Sequence, residues 1–447
     1  MSATVEHTTP GLRRVIRLPH ATAMVVGTII GASIFVQPSE ITGQVPSIPA
    51  LMAVWVVSGV LTLFGALVCA ELASTFTRSG GVYVYLRESF SPAVGFLWGW
   101  AMYWTMHSGI IAAIAVVFVR YTSYFVSMSD GVGKAVAIGV IIVLSTANYV
   151  GVKHGTQLQT MFTFGKLVAI GFIIVVGFVL GRSVPEHFAG GAQLDQIAVG
   201  DFLSAVVAGL FAFGGWHMVT YNAEETVDSR RTIPKALMWG IVIVTGSYVA
   251  LNAVYLYVLP VDVVATSTRV AADAADALIG TGGGAFMSAL VMFSTFGALS
   301  GIVLAGPRVY FAMAQDGLLF RWAAAVHPRF RTPHRAIVLQ AVWASVLVAT
   351  GTYRALFTRV IYTEWLFFGL MAIGLVLLRR RPGLTREYRI WGYPYVPLIF
   401  AISSFIILGH QFVTNVRDSS IGLLIVLAGL PVYYWWSQKL DSHESAA

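Results

Sequence analysis

The feature that most constrains this chain is a succession of apolar runs, each about 20 residues long, the length a helix needs to cross a bilayer core. Twelve can be placed, at about 18–38, 50–71, 93–125, 135–152, 158–181, 201–222, 236–260, 285–313, 335–351, 357–378, 395–413 and 419–437. The run at 335–351 is the shortest. Alternation of apolar and polar residues is absent, which excludes an outer-membrane barrel. Composition closes the remaining alternative. Only 11% of the residues are charged, against about 25% in a soluble domain. Too little polar surface exists to face water, so the lipid bilayer is the outer solvent. The expected fold class is all-α: a polytopic membrane protein with twelve transmembrane helices. The longest gaps between runs, around 183–200, 261–283 and 314–334, leave no room for a soluble domain. The function must lie in the apolar body.

A net charge of +8 could suggest nucleic acid as a partner. Its distribution says otherwise, because the basic residues sit in short loops between the runs. With twelve spans, twenty Lys and Arg fall on one side of the membrane and seven on the other, with Lys166 alone inside a span. That bias places both termini in the cytoplasm of a cell (inner or plasma) membrane. Arg13, Arg14 and Arg17 precede the first run, which reads as a retained helix and not a cleaved signal. Cys69 is the one cysteine, so no disulfide can form within the chain.

Two runs are interrupted in the middle. The first contains Gly27-Thr-Ile-Ile-Gly-Ala-Ser33 and the sixth contains Phe211-Ala-Phe-Gly-Gly-Trp216. Small residues four apart, such as Gly27 and Gly31, also suit close helix packing. The positions of the clusters favour breaks. Five spans separate them, so the two helices cross in opposite directions, and glycine-interrupted segments at matching places in two halves point to an inverted-repeat transporter site. A half-helix that starts in mid-membrane presents free N–H groups, which suit a carboxylate. The carbonyls that end the other half suit an ammonium group. A zwitterionic amino acid carries both.

At these residues the sequence resembles the amino acid–polyamine–organocation (APC) superfamily of permeases. The resemblance runs through Gly27 to Phe35, Gly65 to Leu72, Ser79 to Tyr85, Phe211 to Trp216, Glu224-Glu225, Ile233 to Ala236, Pro307 to Ala314 with Asp316-Gly317, and Trp391 to Pro397. The branch it looks most like is that of the L-type amino acid transporters and their bacterial serine/threonine-exchanger relatives. The resemblance implies a LeuT-like fold, a 5+5 inverted repeat with discontinuous helices 1 and 6. On that pattern 1–17 is a cytoplasmic tail, 18–182 the first five-helix repeat, 200–380 the second, 394–438 two additional helices and 439–447 a second cytoplasmic tail. It also implies alternating-access transport of L-amino acids. Backbone at Ile30, Gly31, Ala32 and Ser33 would take the substrate carboxylate. Carbonyls of Phe211, Ala212 and Phe213, with Gly214 at the break, would take its amine, and Phe211 would cover the bound substrate. Three positions depart from the family pattern: Ser33 stands for a glycine, His217 for an asparagine, and Ser300-Gly301 for Asn-Gly. The loop cysteine with which animal relatives bond a heavy chain is missing, so no disulfide-linked partner is expected.

Ionisable residues at membrane depth are functional candidates by default. Lys166 has two readings. It could snorkel to the cytoplasmic face, or, as the resemblance implies, replace a sodium ion by bridging spans one and eight. His217 could sense pH or contact substrate, or be a hydrogen-bonded structural residue. The same choice applies to His107. Glu364 is expected near the outer end of span ten in an interfacial role. Glu224, Glu225 and Arg308 read as cytoplasmic gate or packing charges. Tyr103 and Trp104 could line a pocket. No phosphate-binding loop, His-Glu-x-x-His or cysteine–histidine cluster is present, so neither an enzyme nor a metal site nor a cofactor is expected.

The expected function is sodium-independent transport of small neutral L-amino acids, by exchange or facilitation, with Lys166, His217 and Phe211 as gating or coupling residues. The alternatives are a proton-coupled symporter using Lys166 or His217, and a polyamine or cationic amino acid carrier using Glu364. In other classes stand a channel, which would show no trans-stimulation, and a sensor that binds without turnover.

Overall fold

The computed structural model describes residues 12–31, 33–181, 194–280, 282–351 and 353–444, without the side chains of 353–362 and 438–444. Ala32 and the terminal tails before residue 12 and after 444 lie outside the described residues. The described chain is helical, and its only β pairing is an isolated bridge between Ile16 and Thr226. Among the described residues nine helices are long and apolar enough to cross a membrane, or ten when the pair Leu18–Ile29 and Ser33–Gln44, bent by 44°, counts as one. A shorter apolar helix, His334–Thr350, and the 27-residue helix Tyr353–Arg379 stand beside them.

One helix shows why these residues fold this way in lipid. In Val152–Leu180 the buried stripe carries Thr156, Gln159, Thr163 and Lys166. The outward face carries Met161, Phe164, Val168, Phe172, Val175 and Val179, each more than half exposed. A helix with its polar residues inside and its large apolar ones outside reverses the water-soluble pattern. Starts are marked in the sequence. Pro19 and Pro49 sit in the first turns of Leu18–Ile29 and Ile48–Thr75, where the missing N–H costs no bond. Ser91 caps the helix that follows it.

The interior is built around the two interrupted segments. Ile48–Thr75 lies along Ser229–Val258, and Leu18–Ile29 packs on Ser229–Val258, Val152–Leu180 and Gly283–Ala305. The structure also departs from the sequence reading. The third span contains a π-helical turn at Met102–Met106. The stretch 261–283, read as a loop, forms two short helices, Val261–Thr266 and Val270–Ile279. Glu364, expected near the outer end of its span, lies in mid-helix in Tyr353–Arg379 and is buried.

Candidate functional site

The helix Leu18–Ile29 ends where Ile30 leaves helical geometry, and a new helix starts at Ser33. The carbonyls released by the first half do not face lipid. The fully buried Lys166 ammonium donates to Gly27 O at 3.1 Å, Ile30 O at 2.6 Å and Ser294 O at 3.1 Å. A lysine has three N–H donors, and all three are used. Lys166 therefore does not snorkel. It ties the first span to Gly283–Ala305, the helix of the eighth span. The Ser294 hydroxyl is 3.3 Å from Ile30 O and 3.2 Å from Gly31 O. On the far side of the break, the first N–H groups of the helix from Ser33 have no partner within that helix.

The sixth span breaks by a different device. Helix Val199–Ala212 stops, Phe213 and Gly214 donate back to Leu210 O and Phe211 O, and Gly215 takes a left-handed φ of +93°. A tight 3-10 segment, Trp216–Glu225, continues the span. A side chain at Gly215 would be strained by that backbone and would meet Thr28 at 3.3 Å. The two breaks touch. The Tyr248 hydroxyl lies 3.1 Å from Ile29 O and 3.0 Å from Ala212 O, so its hydrogen is shared between the broken ends. The Thr28 hydroxyl lies 3.2 Å from Gly215 O.

The structure therefore brings Ile30, Gly31 and Ser33 to one side of a junction and Ala212, Phe213 and Gly214 to the other, with partly buried Phe211 one turn before Gly214. Gly27 answers to the packing reading, since a Cβ there would come within 2.2 Å of Gln159 and Thr163 side chains. His217 is buried. Its Nδ1 has no partner among the described residues, and rings of Trp98, Trp216, Tyr221 and Phe368 surround it. His107 bonds Ile302 O at 2.8 Å and packs structurally. Tyr103 stacks on Trp343, and Trp104 meets the same ring edge-on. Tyr248, Ser294 and Thr28 were not singled out from sequence. The signal available was a hydroxyl within an otherwise apolar run, which is common and weak.

The face that carries most of the basic residues is closed by paired charges. Arg308 and Glu225, both fully buried, form a two-point ion pair at 2.8 Å. Asp316 receives Arg78 at 2.7 Å, Arg87 at 3.2 Å and the Tyr83 hydroxyl at 2.7 Å. Burial, and then the Asp316 charge, push the Tyr83 hydroxyl up from its ordinary value, so it stays a donor. Glu71 is held by Arg379. Just before the first span, Val15 and Ile16 donate to Glu225 O, and Val227 donates to Ile16 O.

The sequence matches the amino acid permease family over residues 16–435. It is 32% identical to the serine/threonine exchanger SteT of Bacillus subtilis (strain 168) over 436 residues, which is 97% of this chain and 99% of that protein. It is 30% identical to Asc-type amino acid transporter 1 of Mus musculus, over 96% of this chain and 82% of that one. The b(0,+)-type amino acid transporter 1 of Homo sapiens is 29% identical, with 98% and 92% covered.

Proposed function

Since the chain belongs to the amino acid permease family, we propose that it moves small neutral L-amino acids across the membrane by sodium-independent exchange. The family consists of multi-pass membrane transporters and not enzymes. Counting His334–Thr350 and Tyr353–Arg379 with the ten helices above gives twelve spans. They group as inverted repeats, 18–182 and 200–380, with 394–438 outside them and both termini cytoplasmic. The breaks in spans one and six support that grouping.

The substrate carboxylate sits on the backbone around Ile30, Gly31, Ala32 and Ser33; Ile30 and Gly31 donate their N–H groups to Val26 O and Ile29 O, so those that open the helix from Ser33 are left for the substrate. Its amine faces the carbonyls of Phe211, Ala212 and Phe213 beside Gly214, and Phe211 closes over it. His217 backs this junction as a coupling residue. One observation carries the sodium independence: the Lys166 ammonium occupies the carbonyls of Gly27, Ile30 and Ser294. A tethered cation there leaves no vacancy for an ion. The buried Cys69 offers no thiol for a disulfide-linked partner.

The test is uptake into proteoliposomes against the twenty amino acids, with and without a sodium gradient and with amino acid preloaded inside. Serine-sized neutral substrates, insensitivity to sodium and acceleration by internal substrate are expected. Sodium-driven uptake would overturn the reading, and so would flux that internal substrate does not accelerate. A cationic substrate is the second reading, favoured by Glu364, which is buried and has no ion pair among the described residues. It sits one turn from Phe368, whose ring packs on His217. Arginine or lysine leading the panel, with loss of that preference in Glu364→Gln, would establish it.

A further inference from the structure

Helices Asp130–Val150 and His334–Thr350 run side by side on the outer surface and leave a groove of about 730 Å³ between them. Ile142, Val338, Val342 and Val346 on its walls are all more than a third exposed. From Ile337 to Ala349 the groove follows one helix for about 18 Å. That is close to the hydrocarbon depth of one leaflet, about 15 Å. The bottom of the groove holds one loose polar end: the buried Ser145 hydroxyl has no partner among the described residues.

One end of the groove is flanked by basic residues. At that end Tyr149 lines it, and the loop from His327 to His334 docks on Tyr149. Thr332 donates to Tyr149 O at 2.8 Å, and the rings of His327, Phe330 and His334 lie 5.5, 6.1 and 5.6 Å from that of Tyr149. Around this mouth stand Lys153, Arg321, Arg329, Arg331 and Arg335. None of them has a carboxylate partner among the described residues, whereas Arg78, Arg87, Arg230, Arg308 and Arg379 all do. The sequence contains no Asp or Glu between Asp130 and Glu186, nor between Asp316 and Glu364. Neighbouring Trp322 and Phe320 are half exposed or more, and Arg335 lies over the Trp322 ring at 5.4 Å. Exposed aromatic rings of this kind sit at headgroup level.

We propose that this groove holds one anionic glycerophospholipid, with an acyl chain between the two helices and the phosphate among the arginines of the 329–335 loop. A chain-length apolar slot ending at an unpaired basic cluster has the two parts that such a lipid has, and basic pockets between spans recognise acidic headgroups. Ser145, one turn below Tyr149, is placed to donate to the acyl ester. The site is separate from the two helix breaks and does not depend on which substrate is carried.

The test is native mass spectrometry of the intact protein released from nanodiscs that contain phosphatidylglycerol and phosphatidylcholine with identical acyl chains. One retained phosphatidylglycerol, preferred about tenfold over phosphatidylcholine, is expected. The pair Arg331→Gln and Arg335→Gln should remove the preference, while Arg331→Lys with Arg335→Lys should keep it. Ala341→Trp, which fills the groove, should lower retention of both lipids while the protein stays monodisperse with unchanged uptake. Equal retention of the two lipids by the native protein would overturn the proposal, as would full retention in Ala341→Trp. So would displacement by millimolar inorganic phosphate, which marks a bare phosphate site, or a dimer that Ala341→Trp dissolves, which marks this face as a protein interface.

Discussion

The two interrupted helices reach similar shapes by opposite means. At the first break the backbone needs no unusual residue. Gly31 does not take a left-handed φ, and a Cβ there would make ordinary contacts with Ala298 at 3.5 Å and Ile29 O at 4.0 Å. What the first break needs is a cation, because Lys166 satisfies carbonyls that the broken helix abandons in a dry interior. At the second break the backbone itself turns, through the left-handed Gly215, and the freed groups are met within the turn by Phe213 and Gly214, with Tyr248 of Ser229–Val258 added from outside. One break is held from outside by a side chain, and the other from within by a glycine. The difference bears on the proposed site. With the carbonyl end of the first break already under an ammonium, only its N–H end is left for a ligand, and that end suits an anion. The second break carries no fixed cation, so its carbonyl end remains the place for a substrate amine.

The comparison can be broken most decisively at Lys166. Lys166→Ala takes a donor from three carbonyls, of which Ile30 O keeps the Ser294 hydroxyl, and an orphaned one costs about 1–3 kcal/mol. Uptake should fall by at least about tenfold and the melting temperature should drop. Uptake at the native rate would show that the first break does not depend on the cation. The next effect is a contrast of sign between the glycines. Gly215→Ala forces a side chain into left-handed backbone and should destabilise by about 1–2 kcal/mol. Gly31→Ala should leave thermal stability unchanged or raise it by up to about 1 kcal/mol, while uptake falls because a methyl group crowds the N–H groups. Equal melting temperatures for the two variants would erase the distinction. The smallest effect belongs to Tyr248→Phe, which removes one shared hydrogen bond and should cost about 1 kcal/mol. Its measurable trace should be a higher half-saturation concentration, since the broken ends lose their common donor. An unchanged half-saturation concentration would mean that the two breaks are positioned independently.

Much of this was legible in the residues. The bilayer imposes a length on every helix, so the apolar runs mark spans without help from tertiary contacts. The interruption of the first and sixth runs was visible for the same reason, because glycine clusters stand out against Val, Ile and Leu. The identity of the cation beside the first break was indicated by the family pattern, but not which carbonyls it holds. Those partners come from two spans far apart in sequence, the first and Gly283–Ala305. Tyr248 and Ser294 escaped notice because a single hydroxyl in an apolar run fits many roles, and its use depends on what lies opposite. The rings around His217 were not legible either, since Trp98 and Phe368 reach it from other helices. The helices Val261–Thr266 and Val270–Ile279 were read as loop because each is too short to show a span's length.

The buried pair of Arg308 and Glu225 has a thermal consequence. Opening a path at this point of the basic face would separate the two side chains and return both charges to water. Hydration of charged groups becomes less favourable as temperature rises, so the desolvation that opposes pairing weakens on warming. Heat therefore holds this latch more firmly shut, and cold loosens it. In the proposed exchange cycle, a conformation that parts this pair is opposed by warming and favoured by cooling.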